Sequence, residues 1–263
     1  MRRFTANDIE SYMESLRDDE QRKVLMRFFK TAPGEYGYGD DFIGLKVPQT
    51  REVVREVAKD LLLTEVPPLL KSRWHEVRLC GLLVLVTKFG RLTTKRLVDD
   101  PGVIRQRDEI LRVYLDHAEH AKNWDLVDMS APKILGHWLL LPTCYGHPTP
   151  GLYHEEKIHL LDQLAQSDNL WRNRMSMVCT WKTTQQGDPS WCLRYAEMHL
   201  HHPHDLMHKA VGWMLREVGK RVDMQLLRDF LEKHAAEMPR TALRYAVERM
   251  APEDRKYFMY GQK

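Results

Sequence analysis

An indole and a carboxylate share one helical face in the stretch that begins at Asn123. The Asn123 side-chain oxygen can accept an amide of the first turn, so a helix can begin there. In that helix Trp124 and Asp128 lie four residues apart, one turn above each other. A π face and a fixed carboxylate both favour positive charge on the group they contact. This pair is the first candidate for chemistry, and helix propensity does not explain it because aspartate is a mediocre helix former.

Two further segments place aromatic and basic residues on one helical face. In the first, Trp171 lies three residues before Arg174, and in the second, Lys209 lies one turn before Trp213. Each residue type also has an ordinary explanation. Tryptophan on a helix most often belongs to the core, Arg174 can form an ion pair or a snorkelling side chain, and Asp128 can cap a neighbouring helix. The residues alone leave both interpretations open.

The elements that must position these residues are helices. The apolar period is helical along the whole chain and no alternating run predicts a strand, so we expect an all-α fold of about a dozen short helices. Antiparallel helix pairs joined by short turns are typical of HEAT-like repeats, which stack into a solenoid with one concave face. We predict a single domain of this kind over residues 1–263.

Caps and breakers predict where several of these helices begin and end. The glycine-rich segment 33–41 and the segment 142–151 predict loops, and Asp99, Pro101 and Gly102 predict a break inside 91–107. Among these helices, we expect four over 108–121, 131–141, 168–182 and 205–220, the last of them capped by Asp205.

Composition excludes little and favours a soluble globular protein. The chain has 263 residues, 43% hydrophobic and 29% charged, and a net charge of +3, which does not by itself indicate nucleic acid. None of the four cysteines pairs in a Cys-x-x-Cys motif, so free thiols are expected rather than a zinc site. The N-terminus lacks the apolar segment of a signal peptide. The most apolar run, 79–86, is too short to cross a bilayer and predicts a buried helix.

Histidines cluster twice without the spacing of a metal site. His199, His201, His202 and His204 surround Pro203, and we interpret them as a solvated turn between helices. The segment that runs from His117 to His120 is not a His-Glu-x-x-His motif and does not indicate a zinc protease. We therefore expect no metal.

Several segments resemble, in order and spacing, motifs of the AlkD family of alkylpurine DNA glycosylases. They read NWDLVDMSAPKILG, NLWRNRMSMV and HKAVGWMLREVGK, preceded by GEYGYGDDFIGLKVPQTREVVRE and SRWHEVRLCGLLVLV. The resemblance extends from about Thr5 to Met250 and implies a HEAT-like α-solenoid whose basic concave face holds duplex DNA. The glycine-rich loop departs from the shorter family version.

The resemblance also implies roles for individual residues. The family's catalytic aspartate falls on Asp128, its two active-site tryptophans on Trp124 and Trp213, and its cleft arginine on Arg174. Tyr38, with Tyr36, lies in the region of a family aromatic residue and is a candidate DNA contact. Lys46, near a helix start with Gln49, is a further candidate contact to phosphate.

The implied reaction suits these residue types. A purine alkylated at N3 or N7 carries a positive charge and leaves readily, so the developing charge on the sugar is what needs stabilisation. A carboxylate close to the anomeric carbon supplies it and can orient or deprotonate water. No lysine stands where a Schiff base would form, so we expect a monofunctional hydrolase without deep base flipping. The expected partner is duplex DNA with alkylated purines. We expect no cofactor and no membrane contact. We also expect a monomer that is located in the cytoplasm and associated with the nucleoid.

Two other functions stay open from the sequence. A non-catalytic HEAT-like module that binds branched or damaged DNA predicts salt-sensitive DNA binding without base release. A helical scaffold for a protein partner predicts an apolar or acidic concave face and no affinity for DNA.

Overall fold

The computed structural model describes residues 4–261, and its regular elements are helices. Within these residues the β-type pairing is confined to two isolated bridges, Asp41 with Trp74 and Thr143 with Gly151. The chain divides into two compact units, the first made of the residues up to Ser130 with 141–152, the second of 131–140 with the residues from 153 onward. Among the described residues no helix has both the length and the hydrophobicity to cross a membrane.

The first unit is built around one long buried helix. Its helices are α1 (Ala6–Ser15), α2 (Asp19–Phe28), α3 (Val47–Val57), α4 (Val66–Leu70), α5 (His75–Arg91), α6 (Pro101–Asp116) and α7 (Trp124–Ser130). Helix α5 contacts α3, α4, α6 and α7. Every residue from His75 to Leu85 is buried, which confirms the prediction of a buried helix over the most apolar run.

The second unit has the same organisation. Its helices are α8 (Leu135–Leu139), α9 (His154–Ala165), α10 (Leu170–Val178), α11 (Trp181–Gln185), α12 (Ser190–Met198), α13 (Asp205–Arg221), α14 (Met224–His234), α15 (Arg240–Ala246) and α16 (Pro252–Tyr260). Helix α13 contacts α10, α11, α12, α14 and α15. Gly212 permits its close approach to α15, because a Cβ there would collide with the Ala242 carbonyl. In both units a long helix supplies the surface on which shorter ones pack.

The predicted break inside 91–107 is present over 92–100, but it ends at Pro101 instead of continuing to 107. Helix α6 begins at Pro101 rather than near 108, and the Asp100 side chain caps it by accepting the Val103 amide at 2.8 Å. Proline is suited to the first turn because its missing N–H has no partner there in any helix. The helix also ends earlier than predicted, at Asp116.

Three other predicted boundaries also need correction. Residues 131–134 form a turn, so α8 covers only part of the predicted 131–141 helix. The predicted 168–182 helix is divided into α10 and α11, where the hydroxyls of Ser176 and Thr180 bond to carbonyls three residues earlier and compete with the helical pattern. Helix α13 is capped by His204 rather than Asp205, since the His204 ring nitrogen accepts the Leu206 amide.

Candidate functional site

Helix α7 carries Trp124 and Asp128 as the sequence predicts. The Asn123 side-chain oxygen accepts the Trp124 amide at 2.9 Å, and Asn123 itself is fully buried. Leu126 and Val127 are buried and pack α7 inward. Trp124 and Asp128 are both half-buried, so the carboxylate lies at the edge of the first unit rather than in its hydrophobic interior.

An aromatic surface surrounds Trp124. Its ring centroid is 5.5 Å from that of Phe29 and 5.9 Å from that of Phe28, the latter in an edge-to-face arrangement. Phe29 is buried, whereas Phe28, the last residue of α2, is 59% exposed. Such exposure is unusual for phenylalanine, and it places a second aromatic side chain beside the candidate tryptophan at the surface. Phe28 has no signal in the sequence, because a phenylalanine at a helix end has no distinctive spacing.

Beneath α7 lies a buried cluster of charged and polar side chains that we call the acid–imidazole layer: Asp40, His75, Arg78, Asn123 and Asp125. His75 Nδ1 is 2.8 Å from Asp40 Oδ2, and its Nε2 is 2.9 Å from Asp125 Oδ2. All five side chains are 7% exposed or less. The imidazole therefore links the glycine-rich loop, which carries Asp40, to the first turn of α7, which carries Asp125.

The layer holds opposite charges in contact. Burial by itself would lower the pKa of His75, but the charge and hydrogen bond of Asp125, followed by those of Asp40, raise it to about 9. Burial likewise works to raise the pKa of Asp40, yet the hydrogen bond and charge of His75, with the charge of Arg78, lower it. At neutral pH the layer thus contains an imidazolium between two carboxylates.

The glycine-rich loop is held in place from both sides. Arg78 donates to Asp40 and also to the carbonyls of Ser72 and Arg73. Glu76, buried like its neighbours, accepts the amides of 43, 44 and 45 through its two carboxylate oxygens at 2.8–3.0 Å. The loop that carries Asp40 is therefore fixed by side chains of α5.

The two candidate DNA contacts near this loop are exposed. Tyr38 is 67% exposed. Lys46 is exposed and precedes α3, and its backbone amide donates to the Gln49 side chain at 2.8 Å. Both can reach solvent, and their contact with DNA stays a prediction.

In the second unit, Arg174 is buried, whereas Trp213 is only half-buried. Arg174 is 4% exposed, and its Nη1 donates to the Leu206 carbonyl at 2.6 Å, at the start of α13. Trp213 is half-buried on α13, one turn after Lys209, which pairs with Asp205. The role of Arg174 as a phosphate ligand, and the action of all four residues on one lesion, stay predictions.

The histidine cluster around Pro203 is solvated only in part. His199 is 2% exposed and lies 2.8 Å from the Ser176 hydroxyl, and His202 lies 3.1 Å from the Asn173 side-chain oxygen. Burial lowers the pKa of His199 to about 4, and His202 contributes in the same direction. The solvated interpretation holds for His201, which is exposed. Helix packing overrides the polar sequence here because α10 lies against this turn.

Within residues 4–261 no group of three or more histidine, cysteine or acidic side chains is arranged to hold a metal ion. The four cysteines are free thiols, as predicted. A cavity of about 790 Å³ lies between α1 and α3 and is lined by residues such as Ile9, Tyr12 and Val53. Gln49, named with Lys46 as a candidate contact to phosphate, is among the residues that line it.

Comparisons with known proteins agree with this fold. A family model described as "DNA alkylation repair enzyme" matches residues 9–250. A solved structure described as a predicted DNA alkylation repair enzyme from Enterococcus faecalis covers 90% of this chain and 97% of its own, with a TM-score of 0.64 and 13% identity. No protein in the curated set matches the chain. The structural likeness confirms the predicted all-α solenoid class, and at this identity it concerns the fold alone.

Proposed function

Because the chain belongs to the family of DNA alkylation repair enzymes, we propose that it hydrolyses the N-glycosidic bond of cationic N3- and N7-alkylated purines in duplex DNA. The observation that supports this most directly is the half-buried pair Trp124 and Asp128, one turn apart on α7 beside the exposed ring of Phe28. A carboxylate and two aromatic rings at one surface suit a substrate that carries positive charge on the base and develops it on the sugar.

Asp128 is the proposed catalytic residue. As the bond between the sugar and the purine breaks, the purine leaves with the bonding electrons and is released as a neutral base. Positive charge develops on the sugar, and the nearby carboxylate stabilises it. A water molecule adds to the anomeric carbon and Asp128 accepts its proton. The products are the free base and an abasic sugar, so the reaction needs neither a lysine nucleophile nor a cofactor.

The aromatic side chains are proposed to favour the charged lesion over normal bases. A cation over an aromatic face gains roughly 0.5–1 kcal/mol at an exposed site and more when water is excluded. Trp124 is the nearest candidate in the first unit, and Phe28 extends its surface. Trp213 has the corresponding role in the second unit. Since a partly exposed surface does not enclose the base, we propose recognition without deep base flipping, which suits bulky adducts as well.

Phosphate contacts are proposed for the basic residues. Lys46, exposed before α3, can contact a phosphate with its ammonium group. Tyr38 can donate a hydrogen bond from its exposed hydroxyl. Arg174 is the proposed ligand for the lesion strand, which requires that its guanidinium turn from the Leu206 carbonyl. Since the proposed substrate is DNA, we propose that the protein acts as a monomer in the cytoplasm, associated with the nucleoid.

The test is the release of methylpurines from methylated duplex DNA under single-turnover conditions. We expect Asp128→Asn to lower the rate by roughly 100-fold or more, because removal of one preorganised electrostatic group costs about that much. Asp116→Asn, the same change at an exposed position of α6, is the matched control and is expected to leave the rate unchanged.

Two outcomes would contradict the proposal. Equal rates for the wild type and Asp128→Asn would remove Asp128 from the mechanism. Strong, salt-sensitive binding of DNA without release of any methylpurine would favour the alternative function, a non-catalytic module that binds damaged or branched DNA.

A further inference from the structure

We propose that His75 is a positioning residue for α7: by bridging Asp40 and Asp125 it fixes the rotation of this helix, and so the orientation of Trp124 and Asp128. The inference rests on the proposed function in one respect, since the orientation of Asp128 matters to a reaction only if Asp128 takes part in it. His75 itself is 2% exposed and does not contact substrate.

Helix α7 needs such an anchor because it is short. It has seven residues, and isolated helices of that length are not stable in water. Its C-terminal end is tied by Ser130, whose hydroxyl is 3.0 Å from that of Tyr114 on α6. Its N-terminal end is tied by Asp125 to His75, and just before it Asn123 reaches Asp40 at 3.5 Å. Both ends of α7 are therefore held by side-chain contacts, and the contact at the N-terminal end joins the charged groups of Asp125 and His75.

The position of Asp125 in α7 makes this anchor matter for the candidate site. Asp125 directly follows Trp124 and precedes Asp128 by three residues. On a helix these three side chains are linked by a rigid backbone, so any rotation that moves Asp125 moves the other two. The buried face carries the anchor, and the half-buried face carries the candidate chemistry.

His75 is surrounded closely enough to transmit this constraint. The Phe42 ring stacks on the imidazole at 4.4 Å between centroids, and the Phe29 ring lies 4.9 Å away. Phe29 also contacts the Trp124 ring at 5.5 Å. Aromatic rings thus pack against the faces of the imidazole, and carboxylates bond to both of its nitrogens.

Charge is essential to the bridge, because both ring nitrogens of His75 face carboxylates and only an imidazolium can donate from both. The charged groups around it are Asp125 from α7, Asp40 from the loop, and Arg78 and Glu76 from α5 itself. Arg78 pairs with the other oxygen of Asp40, and Glu76 is occupied by backbone amides. With these neighbours the pKa of His75 is about 9.

Asp125 has few alternatives to His75. Its Oδ1 is buried and has no hydrogen-bond partner within residues 4–261. Without an imidazolium opposite Oδ2, this carboxylate stays buried with its charge uncompensated, and moving it toward solvent requires α7 to turn. Such a turn would displace Trp124 and Asp128 together.

The test uses three variants: His75→Gln, Asp125→Asn and the two combined. Glutamine has one donor end and one acceptor end, so in His75→Gln one of the two carboxylates faces a carbonyl oxygen. In the combined variant, the introduced asparagine amide can donate to that carbonyl while the glutamine amide donates to Asp40, which restores a matched chain of hydrogen bonds without the charge. His201→Gln, at an exposed histidine of the second unit, is the matched control.

We expect each single variant to lower the single-turnover rate of methylpurine release by roughly 10- to 100-fold, the effect of a small misplacement of reacting groups. The Kd for undamaged duplex DNA should change less than about threefold, because the proposed phosphate ligands Lys46 and Arg174 lie outside the acid–imidazole layer. The combined variant should recover to within about fivefold of the wild type, since the two changes compensate in one network. Circular dichroism confirms that each variant is folded at the assay temperature.

A second readout does not depend on activity. In protein labelled with ¹⁵N-tryptophan, the indole N–H signal of Trp124, assigned with Trp124→Phe, reports the surroundings of that ring. In the wild type this signal should shift as pH rises through about 9, where His75 loses its proton. In the combined variant the shift should be absent, because neither substituted side chain titrates.

The outcomes separate the inference from the proposed function. A wild type that releases no methylpurine overturns the proposed function, while the Trp124 signal still decides whether His75 positions α7. Normal release by His75→Gln, or a Trp124 signal that is insensitive to both alkaline pH and His75→Gln, overturns the inference and leaves the proposed function standing. A rate that falls only together with the folded fraction also overturns it, since that result indicates a structural role alone.

Discussion

Two buried histidines, one in each unit, have the same exposure, but one is charged at neutral pH and the other is neutral. His75 lies between Asp40 and Asp125, and its pKa is raised to about 9. His199 lies against the Ser176 hydroxyl with His202 nearby, and its pKa is lowered to about 4. Burial disfavours the imidazolium in both, so neighbouring carboxylates decide the difference. A buried histidine therefore cannot be assigned a charge from its burial. The two regions should lose different amounts of stability on mutation and should respond to pH in opposite directions.

The largest expected effect is the loss of the imidazolium from the acid–imidazole layer. His75→Ala should lower the free energy of unfolding by about 3–5 kcal/mol, because it leaves buried carboxylates without their partner. His199→Ala should lower it by about 1–3 kcal/mol, since a neutral hydrogen bond and some packing are lost but no charge is stranded. Urea unfolding at pH 7 measures both. Equal losses would contradict the assignment of charge to His75 alone.

The pH dependence of stability should differ in sign between the two histidines. The folded pKa of His75 is raised, so its contribution is fully present below pH 6.5 and is lost as pH rises through 9. The folded pKa of His199 is lowered, so its contribution is present above pH 6.5 and is lost as pH falls through 4. Each contribution to the free energy of unfolding amounts to about 3 kcal/mol, from the difference between the pKa of the folded and the unfolded state.

These contributions are measured by comparing the unfolding free energy of the wild type with that of each histidine variant between pH 4 and 10. The difference between wild type and His75→Gln should shrink toward alkaline pH. The difference between wild type and His199→Gln should shrink toward acid pH. A His75 difference that shrinks toward acid pH instead would show a neutral imidazole.

A smaller effect is expected from the hydroxyl beside His199. Ser176→Ala removes the group 2.8 Å from the His199 ring nitrogen and should destabilise the protein by about 1 kcal/mol, the usual net value of a buried neutral hydrogen bond. Ser190→Ala, at an exposed serine in the same unit, serves as the control. A loss as large as that of His75→Ala would mean that His199 carries more than a neutral hydrogen bond.

The smallest effect on stability is expected from an exposed charge. Lys46→Ala should change the free energy of unfolding by less than about 0.5 kcal/mol, as is usual for surface positions. If Lys46 contacts phosphate, the slope of log Kd against log salt should fall in magnitude by about 1. DNA binding titrated at several salt concentrations measures this slope, and an unchanged slope would remove Lys46 from the DNA contacts.

Capping residues and residue spacing predicted the features of the fold that depend on neighbours in the sequence. Asn123 caps α7, and Trp124 and Asp128 are half-buried one turn apart on it, because spacing and capping are properties of a single helix. The break predicted inside 91–107 is present but ends earlier than expected, at Pro101, although the local signal for that end, an aspartate directly before a proline, is present in the sequence. There, two local interpretations competed and the capping interaction prevailed.

The acid–imidazole layer could not be predicted in this way. Asp40, His75 and Asp125 are separated by 35 and 50 residues, and none of them has a distinctive spacing to the others. One signal was available: His75, Glu76 and Arg78 are polar residues at the start of the most apolar helix, where charge without a partner is costly. That signal indicates that partners exist without saying which they are.

The sequence by itself determined the all-α class, the capped helix that carries Trp124 and Asp128, and the resemblance to a family that acts on alkylated DNA. Each of these follows from the periodicity, caps and order of residues along one chain. Only the tertiary structure decided that His75 is charged and His199 neutral, that Phe28 stands exposed beside Trp124, and that Arg174 is buried against a carbonyl. The reason is that pKa, exposure and the choice of hydrogen-bond partner depend on groups that only folding brings into contact.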